Sequence, residues 1–209
     1  DNYNDKYEYI LPEVILDRNL FSNKYGNADF TSNLKVHNYD TNKYTKFLIN
    51  DVDWKYRNLK LKSGLNGKIL GKLKNVNYEA KNTEFKTDTT SEVFGAFGYL
   101  TELNLFKKTE NKLTQLLTPK VLFRYAPDYM RKESSGSKLN HLNIFTLDRL
   151  NTNNNFEGGL STTIGFDYEI QGSNDQKQFG LTMGQVINEK ENKNMPSSSS
   201  LDEKLSDVV

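Results

Sequence analysis

The chain has 209 residues and a mass of 24.1 kDa, with 28 basic and 27 acidic side chains that leave a net charge of +1. This balance gives no electrostatic basis for a nucleic-acid partner, and the absence of cysteine excludes disulfides and thiolate metal sites within the sequence. Only 35% of the residues are hydrophobic while 12% are aromatic, which suits a sheet with one apolar face and one wet face.

Alternating apolar and polar residues predict β-strands along the first half of the chain. These strands cover Tyr7–Leu16, Ala28–Tyr39, Tyr44–Arg57, Leu65–Lys81 and Glu92–Phe106. Pro12 predicts a strand start, an edge or a bulge, because proline lacks the N–H that a ladder needs. The turn-rich stretch Asp17–Asn27 is predicted to connect the first two strands. In the third strand, Leu48 and Trp54 fall on one face, and Asp51 and Asp53 on the other.

The second half contains three further predicted strands, Leu113–Tyr125, Phe156–Ile170 and Lys177–Ile187. The strand from Phe156 to Ile170 has the clearest pattern, with aliphatic and aromatic residues on one face and Gly, Ser, Thr, Asp and Glu on the other. Residues 126–155 are predicted to form a long polar loop, and residues 188–200 a polar, serine-rich loop. The run Asn151–Asn155 is interpreted as genomic base bias.

Two architectures fit these strands, which number about eight or nine and are antiparallel by their short connections. One is a soluble β-sandwich or barrel; the other is an outer-membrane barrel whose apolar face meets lipid and whose polar face meets a wet lumen. The predicted strands run for about 10–15 residues, the length that a tilted span of an apolar band of about 25 Å requires. Aromatic residues near the strand ends also favour the second architecture.

We therefore predict an all-β, antiparallel transmembrane β-barrel segment that is part of a larger outer-membrane barrel, with residues 1–209 forming one partial domain. No run of about 18 apolar residues is present to form a transmembrane helix. The polar start Asp1–Asp5 does not have the pattern of a signal peptide, so an exported protein would need sequence before residue 1.

Neither catalysis nor metal binding is predicted. His37 and His141 are far apart in sequence and have no carboxylate at ligand spacing. Asp167 and Glu169 share a strand face, but acids on one face recur on any polar strand and do not indicate glycosidic chemistry by themselves. No serine occupies a nucleophile-elbow context. Gly158 and Gly159 do not form a phosphate loop, because no P-loop lysine or helix start follows them. We expect no cofactor, no metal and no enzymatic activity.

Three stretches together resemble one family. The first contains Pro119, Arg124, Tyr125 and Pro127, and is similar to a "P-x-x-x-x-R-Y-x-P" strand. The second runs from Asn143 through Phe145 and Arg149 to Glu157, Gly158 and Gly159, and is similar to an "N-L-F-x-x-x-R … E-x-G" segment. The third joins the serines 197–200 to Ser206 and Asp207, like a serine-rich loop that leads into "S-D-I-V-G". The family is the lipopolysaccharide-assembly protein LptD, in its barrel domain, and the alphaproteobacterial members look nearest.

The resemblance is clearest over Glu92–Val209, whereas earlier residues agree mainly in character, with Ile10–Glu13 the best match there. It implies a middle-to-late barrel fragment in the cell outer membrane. It also implies transport of lipopolysaccharide into the outer leaflet through a large barrel with a lateral gate. Its implied partners are lipopolysaccharide, a plug lipoprotein, a periplasmic bridge protein and outer-membrane lipid.

Six polar residues are predicted to face the lumen or the plug lipoprotein. They are Lys120, Arg124, Glu157, Thr163, Asp167 and Glu169. Two other functions remain open from the residues alone. One is a general porin or receptor barrel for small solutes, and the other is a soluble carbohydrate-binding β-protein.

Overall fold

The computed structural model describes residues 9–40, 42–56, 59–61, 64–83, 89–109, 113–133, 138–150, 152–172, 176–196 and 198–209. Asp1–Asp5, Tyr7, Asn151 and Ser197, on which parts of the sequence analysis depend, lie outside these residues. The chain forms two compact units. The first unit comprises Asp1–Trp54 and Lys72–Gly95, and the second comprises Lys55–Gly71 and Ala96–Val209.

Ten strands and one short 3₁₀ helix make up the regular structure of the described residues. The strands are β1 (Tyr9–Asn23), β2 (Gly26–Asp40), β3 (Lys43–Lys55), β4 (Leu59–Lys60), β5 (Leu65–Lys81), β6 (Thr90–Leu103), β7 (Leu105–Lys108), β8 (Thr114–Ala126), β9 (Gly159–Gln171) and β10 (Lys177–Asn188). The 3₁₀ helix covers Ser200–Asp202. Hydrogen-bonded neighbours follow the order β1-β2-β3-β5-β6-β8-β9-β10, with β4 beside β5 and β7 beside β8. The prediction of an all-β, antiparallel fold is confirmed.

The predicted connection Asp17–Asn27 is wrong, because β1 continues to Asn23 and β2 begins at Gly26. Polar residues pair across these two strands rather than forming a loop. Thr31 donates a hydrogen bond to Asp17 (2.7 Å) and Asn19 donates one to Asp29 (2.7 Å). Such cross-strand bonds stabilise a ladder without apolar contacts. The proline prediction is confirmed, since the β1–β2 register shifts between Ile10 and Glu13, on either side of Pro12.

One face of the first unit is buried and largely apolar. Its side chains come from three strands: Phe47 and Ile49 on β3, Val76, Tyr78 and Ala80 on β5, and Phe94 on β6. Phe47 and Tyr78 lie with ring centroids 5.6 Å apart. Leu48 is exposed on the opposite face, as its position in the alternation requires. The sequence analysis missed Phe47 and Ile49, which lie on the same face as Asp51.

A row of short polar side chains crosses the other face of the first unit. Ser32 on β2 donates to Asn50 on β3 (2.7 Å), and Asn50 donates to Asn75 on β5 (3.3 Å). Asn75 then donates to the Ser91 hydroxyl on β6 (3.4 Å). This row therefore joins four adjacent strands at one level.

The second unit has two distinct sheet faces. The outer face exposes a set of large apolar side chains, Phe97, Phe123, Tyr125, Leu160, Ile164 and Ile187. The inner face carries Leu122, Arg124, Ser161, Thr163, Val186 and Asn188, all buried. Register explains why they meet: Leu122 and Val186 both pair with Thr163, and Arg124 and Asn188 both pair with Ser161.

The inner face is buried because the described parts of two irregular segments of the second unit lie on it. The covering segment joins β8 to β9 (residues 127–158), and the C-terminal segment follows β10 (residues 189–209). Their apolar side chains form one cluster with Val186 of β10: Met130, Leu139, Ile144, Leu150, Met195 and Leu201. The loops predicted as polar therefore contribute a small hydrophobic core.

The C-terminal segment returns along the free side of β10. Main-chain hydrogen bonds join Asn188 to Lys204 (2.8 Å) and Ser206 to Val186 (2.9 Å). Gly184 and Val209 exchange both of theirs (2.9 and 3.0 Å). Residues 204–209 thus extend the ladder beyond β10.

Candidate functional site

A buried cluster of charged side chains fixes the covering segment to the inner face of the second unit. Arg149 lies on the covering segment and donates to both carboxylate oxygens of Glu157, with Nε 2.8 Å from Oε2. Its guanidinium also donates to the hydroxyls of Ser161 (2.9 Å) and Thr163 (3.3 Å) on β9. One planar cation therefore joins the segment to the strand through side chains alone.

Arg124 approaches the same carboxylate from β8. Its Nε donates to the main-chain oxygen of Leu147 (2.8 Å), and its Nη2 donates to the main-chain oxygen of Glu157. Nη1 lies 3.8 Å from the Glu157 carboxylate, and the guanidinium lies 5.7 Å from the ring centroid of Phe156. The side chains of Arg124 and Arg149 are 0% exposed and that of Glu157 is 3% exposed. We call Arg124, Arg149, Glu157, Ser161 and Thr163 the arginine cluster.

The electrostatics of the cluster keep Glu157 ionised. Burial alone raises the pKa of this carboxyl, but the charges of Arg149 and Arg124 and the hydrogen bonds from Arg149 outweigh it, so the pKa lies below its ordinary value. A buried charge is stable only when it is paired and hydrogen-bonded, and each member of this cluster depends on the others for that. The cluster is therefore a structural unit rather than a set of separate contacts.

A second polar feature crosses the inner face beside the covering segment. Lys68 on β5 forms an ion pair with Glu102 on β6, and Lys120 on β8 forms one with Asp167 on β9. Glu102 and Lys120 are directly paired in the β6–β8 register. Thr182 on β10 donates to Asp167 (2.9 Å). These five residues form a charge ladder, and its ionic side chains are 13–28% exposed.

Phe145 connects the two features, because its ring lies 5.6 Å from the Lys120 ammonium and it packs against the apolar cluster of the covering segment. Chemically, the site can hold a segment in place and present paired charges. Among the residues that the structure describes, no cluster of three or more His, Cys, Asp or Glu side chains is arranged to bind a metal.

The structure brings all six predicted lumen-facing residues onto the inner face or the segment that covers it. Arg124, Glu157 and Thr163 belong to the arginine cluster, and Lys120 and Asp167 to the charge ladder. Glu169 is further along β9, where it accepts a hydrogen bond from Lys177 (2.7 Å). Whether these residues face a lumen or a plug protein stays a prediction.

The residues of the three motifs divide between the site and its surroundings. Arg124, Phe145, Arg149 and Glu157 converge at the site. Gly159 begins β9 with a φ of 104°, a left-handed conformation that favours glycine. Ser206 accepts the Val186 N–H at its hydroxyl (2.9 Å) beside β10. The remaining motif residues lie at the surface or on the outer face of the sheet: Pro119, Tyr125, Pro127 and Asp207. Pro119 pairs with Phe166 on β9.

Sequence reasoning placed Phe156 incorrectly and missed Asn155. Phe156 was predicted to start a strand with its ring on the apolar face, but it precedes β9 and is buried. Asn155 is buried too, and exchanges hydrogen bonds with the main chain of Arg131 (3.1 and 2.9 Å). The run of asparagines was therefore not a compositional accident at this position. Ser161 was also missed, although its place on the polar face of the strand pattern was visible.

The fold and the site define a class of protein. Long antiparallel strands with an apolar, aromatic outer face and a polar inner face are typical of outer-membrane β-proteins. Within the described residues, no helix is long and apolar enough to cross a membrane.

The chain belongs to the LptD family, because the family model described as LPS transport system D matches residues 6–209. The match includes residues 6–91, where the sequence resemblance was weakest. No curated protein matches the chain. The family transports lipopolysaccharide to the outer membrane and assembles it there, and it consists of transport proteins rather than enzymes. This assignment decides against a general porin, a receptor barrel and a soluble carbohydrate-binding protein.

Proposed function

We propose that the inner face of the second unit is part of the wall of the lipopolysaccharide transport path, and that the arginine cluster holds the covering segment on that wall. The observation that carries this proposal is the convergence of Arg124, Arg149 and Glu157. They come from two different sequence motifs of the family resemblance and share one buried site. The saccharide portion of lipopolysaccharide needs hydrogen-bonding surroundings, which a polar wall supplies, whereas acyl chains need an apolar route.

The outer face supports the same proposal from the other side. Phe123, Tyr125 and Ile164 are about half exposed, which is expensive in water but favourable in a bilayer. In this arrangement Lys120 and Asp167 meet the wet interior. Lys120, Asp167 and Glu169 then face the lumen or a plug lipoprotein that fills part of it. Arg124, Glu157 and Thr163 lie on the same side of the sheet but are buried under the covering segment.

The remaining parts of the proposal come from the family resemblance. They are a complete barrel that opens laterally between its first and last strands, a plug lipoprotein inside it, and a periplasmic bridge protein that delivers the cargo. The nearer likeness to alphaproteobacterial members is likewise proposed from the three motifs alone.

Cysteine labelling of the full protein in lipid vesicles tests which face meets lipid. We expect a membrane-impermeant maleimide to modify a cysteine at Asp167 and to leave a cysteine at Ile164 unmodified. Detergent should then expose Ile164→Cys, which serves as the control for reagent access. Modification of Ile164→Cys in intact vesicles, together with protection of Asp167→Cys, would contradict the proposal.

A further inference from the structure

The charge ladder has no net charge. Lys68 and Lys120 contribute two ammonium groups, and Glu102 and Asp167 contribute two carboxylates. Positive and negative groups alternate from β5 to β9, so each ammonium has a carboxylate on a neighbouring strand. Adjacent strands lie about 4.8 Å apart. The electrostatic fields of opposite charges at that spacing largely cancel at a larger molecule.

The ladder nevertheless presents many hydrogen-bonding groups. Ammonium groups donate, carboxylates accept, and the Thr182 hydroxyl can do both. Because these side chains are only partly buried, they remain accessible at the edge of the covering segment. Alternating donors and acceptors suit the hydroxyl groups of a saccharide, which also alternate between the two roles.

We propose that the charge ladder is a guide surface for an anionic saccharide, and that its paired charges let such a chain pass without being held. This inference rests on the proposed function, since the anionic saccharide is the sugar portion of the lipopolysaccharide cargo. A phosphate or carboxylate on the sugar meets no uncompensated ammonium. Its hydroxyl groups still find partners that replace water.

Unpaired lysines would behave differently. An additional lysine near an anionic surface contributes about 1 kcal/mol, or about a fivefold change in affinity. In a transport path this contribution would retain the cargo rather than move it. The carboxylates Glu102 and Asp167 therefore prevent retention, and Phe145 further restrains Lys120 by lying over its ammonium.

The test measures binding of dextran sulfate to the full protein in detergent at physiological salt. We expect Asp167→Asn and Glu102→Gln each to bind this probe about fivefold more tightly than the wild type, the change that one freed lysine gives. The gain should disappear at high salt, because it is electrostatic. The matched control is the double variant Lys120→Gln/Asp167→Asn, which also loses the carboxylate but leaves no free ammonium, and it should bind like the wild type.

Several outcomes would overturn the inference. One is that both single variants fold but bind dextran sulfate with the wild-type affinity. Another is that the double variant binds dextran sulfate as tightly as Asp167→Asn does. A gain of the same size for uncharged dextran would also contradict it. The proposed function is judged separately, by whether depletion of the wild-type protein stops lipopolysaccharide from reaching the outer leaflet. If the wild-type protein delivers lipopolysaccharide but both single variants bind dextran sulfate with the wild-type affinity, the guide surface is rejected and the proposed function is kept.

Discussion

Arg149 and Glu157, eight residues apart on the covering segment, form a two-pronged ion pair in which both side chains are buried. This pair joins two points of the segment shortly before β9 begins. Because Arg124 approaches the same carboxylate from β8, the two guanidinium groups share Glu157 as a counter-charge. The stability of the covering segment therefore depends strongly on this carboxylate.

Replacing that carboxylate tests its role. Glu157→Gln removes the negative charge but keeps the size of the side chain, so two buried arginines lose their counter-charge. We expect a loss of about 3 kcal/mol in the free energy of unfolding, within the range for a broken buried ion pair. Limited proteolysis should show earlier cleavage within residues 127–158. Glu189→Gln, an exposed carboxylate just after β10, is the control and should leave the cleavage pattern unchanged.

The stability of the protein should depend on pH through Glu157. Its pKa is lowered from the ordinary value of 4.5, so the folded state binds this proton less readily than the unfolded state. The stabilisation is therefore fully present above pH 4.5 and is lost as the pH falls below 4.5 through the pKa of the folded state. We expect the difference in unfolding free energy between wild type and Glu157→Gln to be constant above pH 4.5 and to shrink below it. A difference that does not change down to pH 3 would contradict this.

Arg124→Lys separates the geometry of the side chain from its charge. Arginine reaches the main-chain oxygens of Leu147 and Glu157 with two different nitrogens, whereas lysine has a single point of donation. We expect a loss of about 1.5–3 kcal/mol, the value of a hydrogen bond to a charged group. Hydrogen exchange of the amides in residues 147–158 should increase. Arg18→Lys on the exposed strand β1 is the control, and equal exchange in both variants would show that Arg124 acts through charge alone.

Glycine at position 98 gives the covering segment room to pack on β6. A Cβ there would lie 2.6 Å from Leu147 Cδ2 and 3.2 Å from Leu122 Cδ1. We expect Gly98→Ala to cost about 1–3 kcal/mol of unfolding free energy, as overpacking does. Gly95→Ala on the same strand is the matched control, because its nearest contact would be an ordinary 3.5 Å to the Lys72 oxygen. Thermal unfolding of the two variants should differ, and equal melting temperatures would contradict close packing at Gly98.

Strand patterns were predictable where side chains alternate strictly between two environments. The bounds of β5 were predicted to the residue, and β8 and β10 to within one. The stretch Asp17–Asn27 misled because its polar residues form cross-strand hydrogen bonds, and composition alone does not distinguish these from a loop. Phe156 was misplaced for a different reason. Its position in the alternation fits the strand, but the strand begins only at Gly159, which has a left-handed conformation.

The site could be predicted only in part. Arg124, Glu157 and Thr163 were identified from the strand pattern, and Arg149 from the family motif alone. Their convergence could not be inferred, because the path of the covering segment depends on tertiary packing such as the apolar cluster that contains both Ile144 and Val186. No periodicity marks these apolar residues within a polar sequence, so the segment was taken for a polar loop.

The length of the covering segment affects how the protein assembles. A connection of about 30 residues costs about 2 kcal/mol more in chain entropy than a hairpin loop of about four, at about 0.6 kcal/mol per doubling of length. The groups that hold it, Arg124 on β8 and Ser161 on β9, come together only when these strands pair. Until then Met130, Leu139 and Ile144 have no surface to pack on. A chain whose strands β8 and β9 have not yet paired would therefore expose this apolar stretch to water.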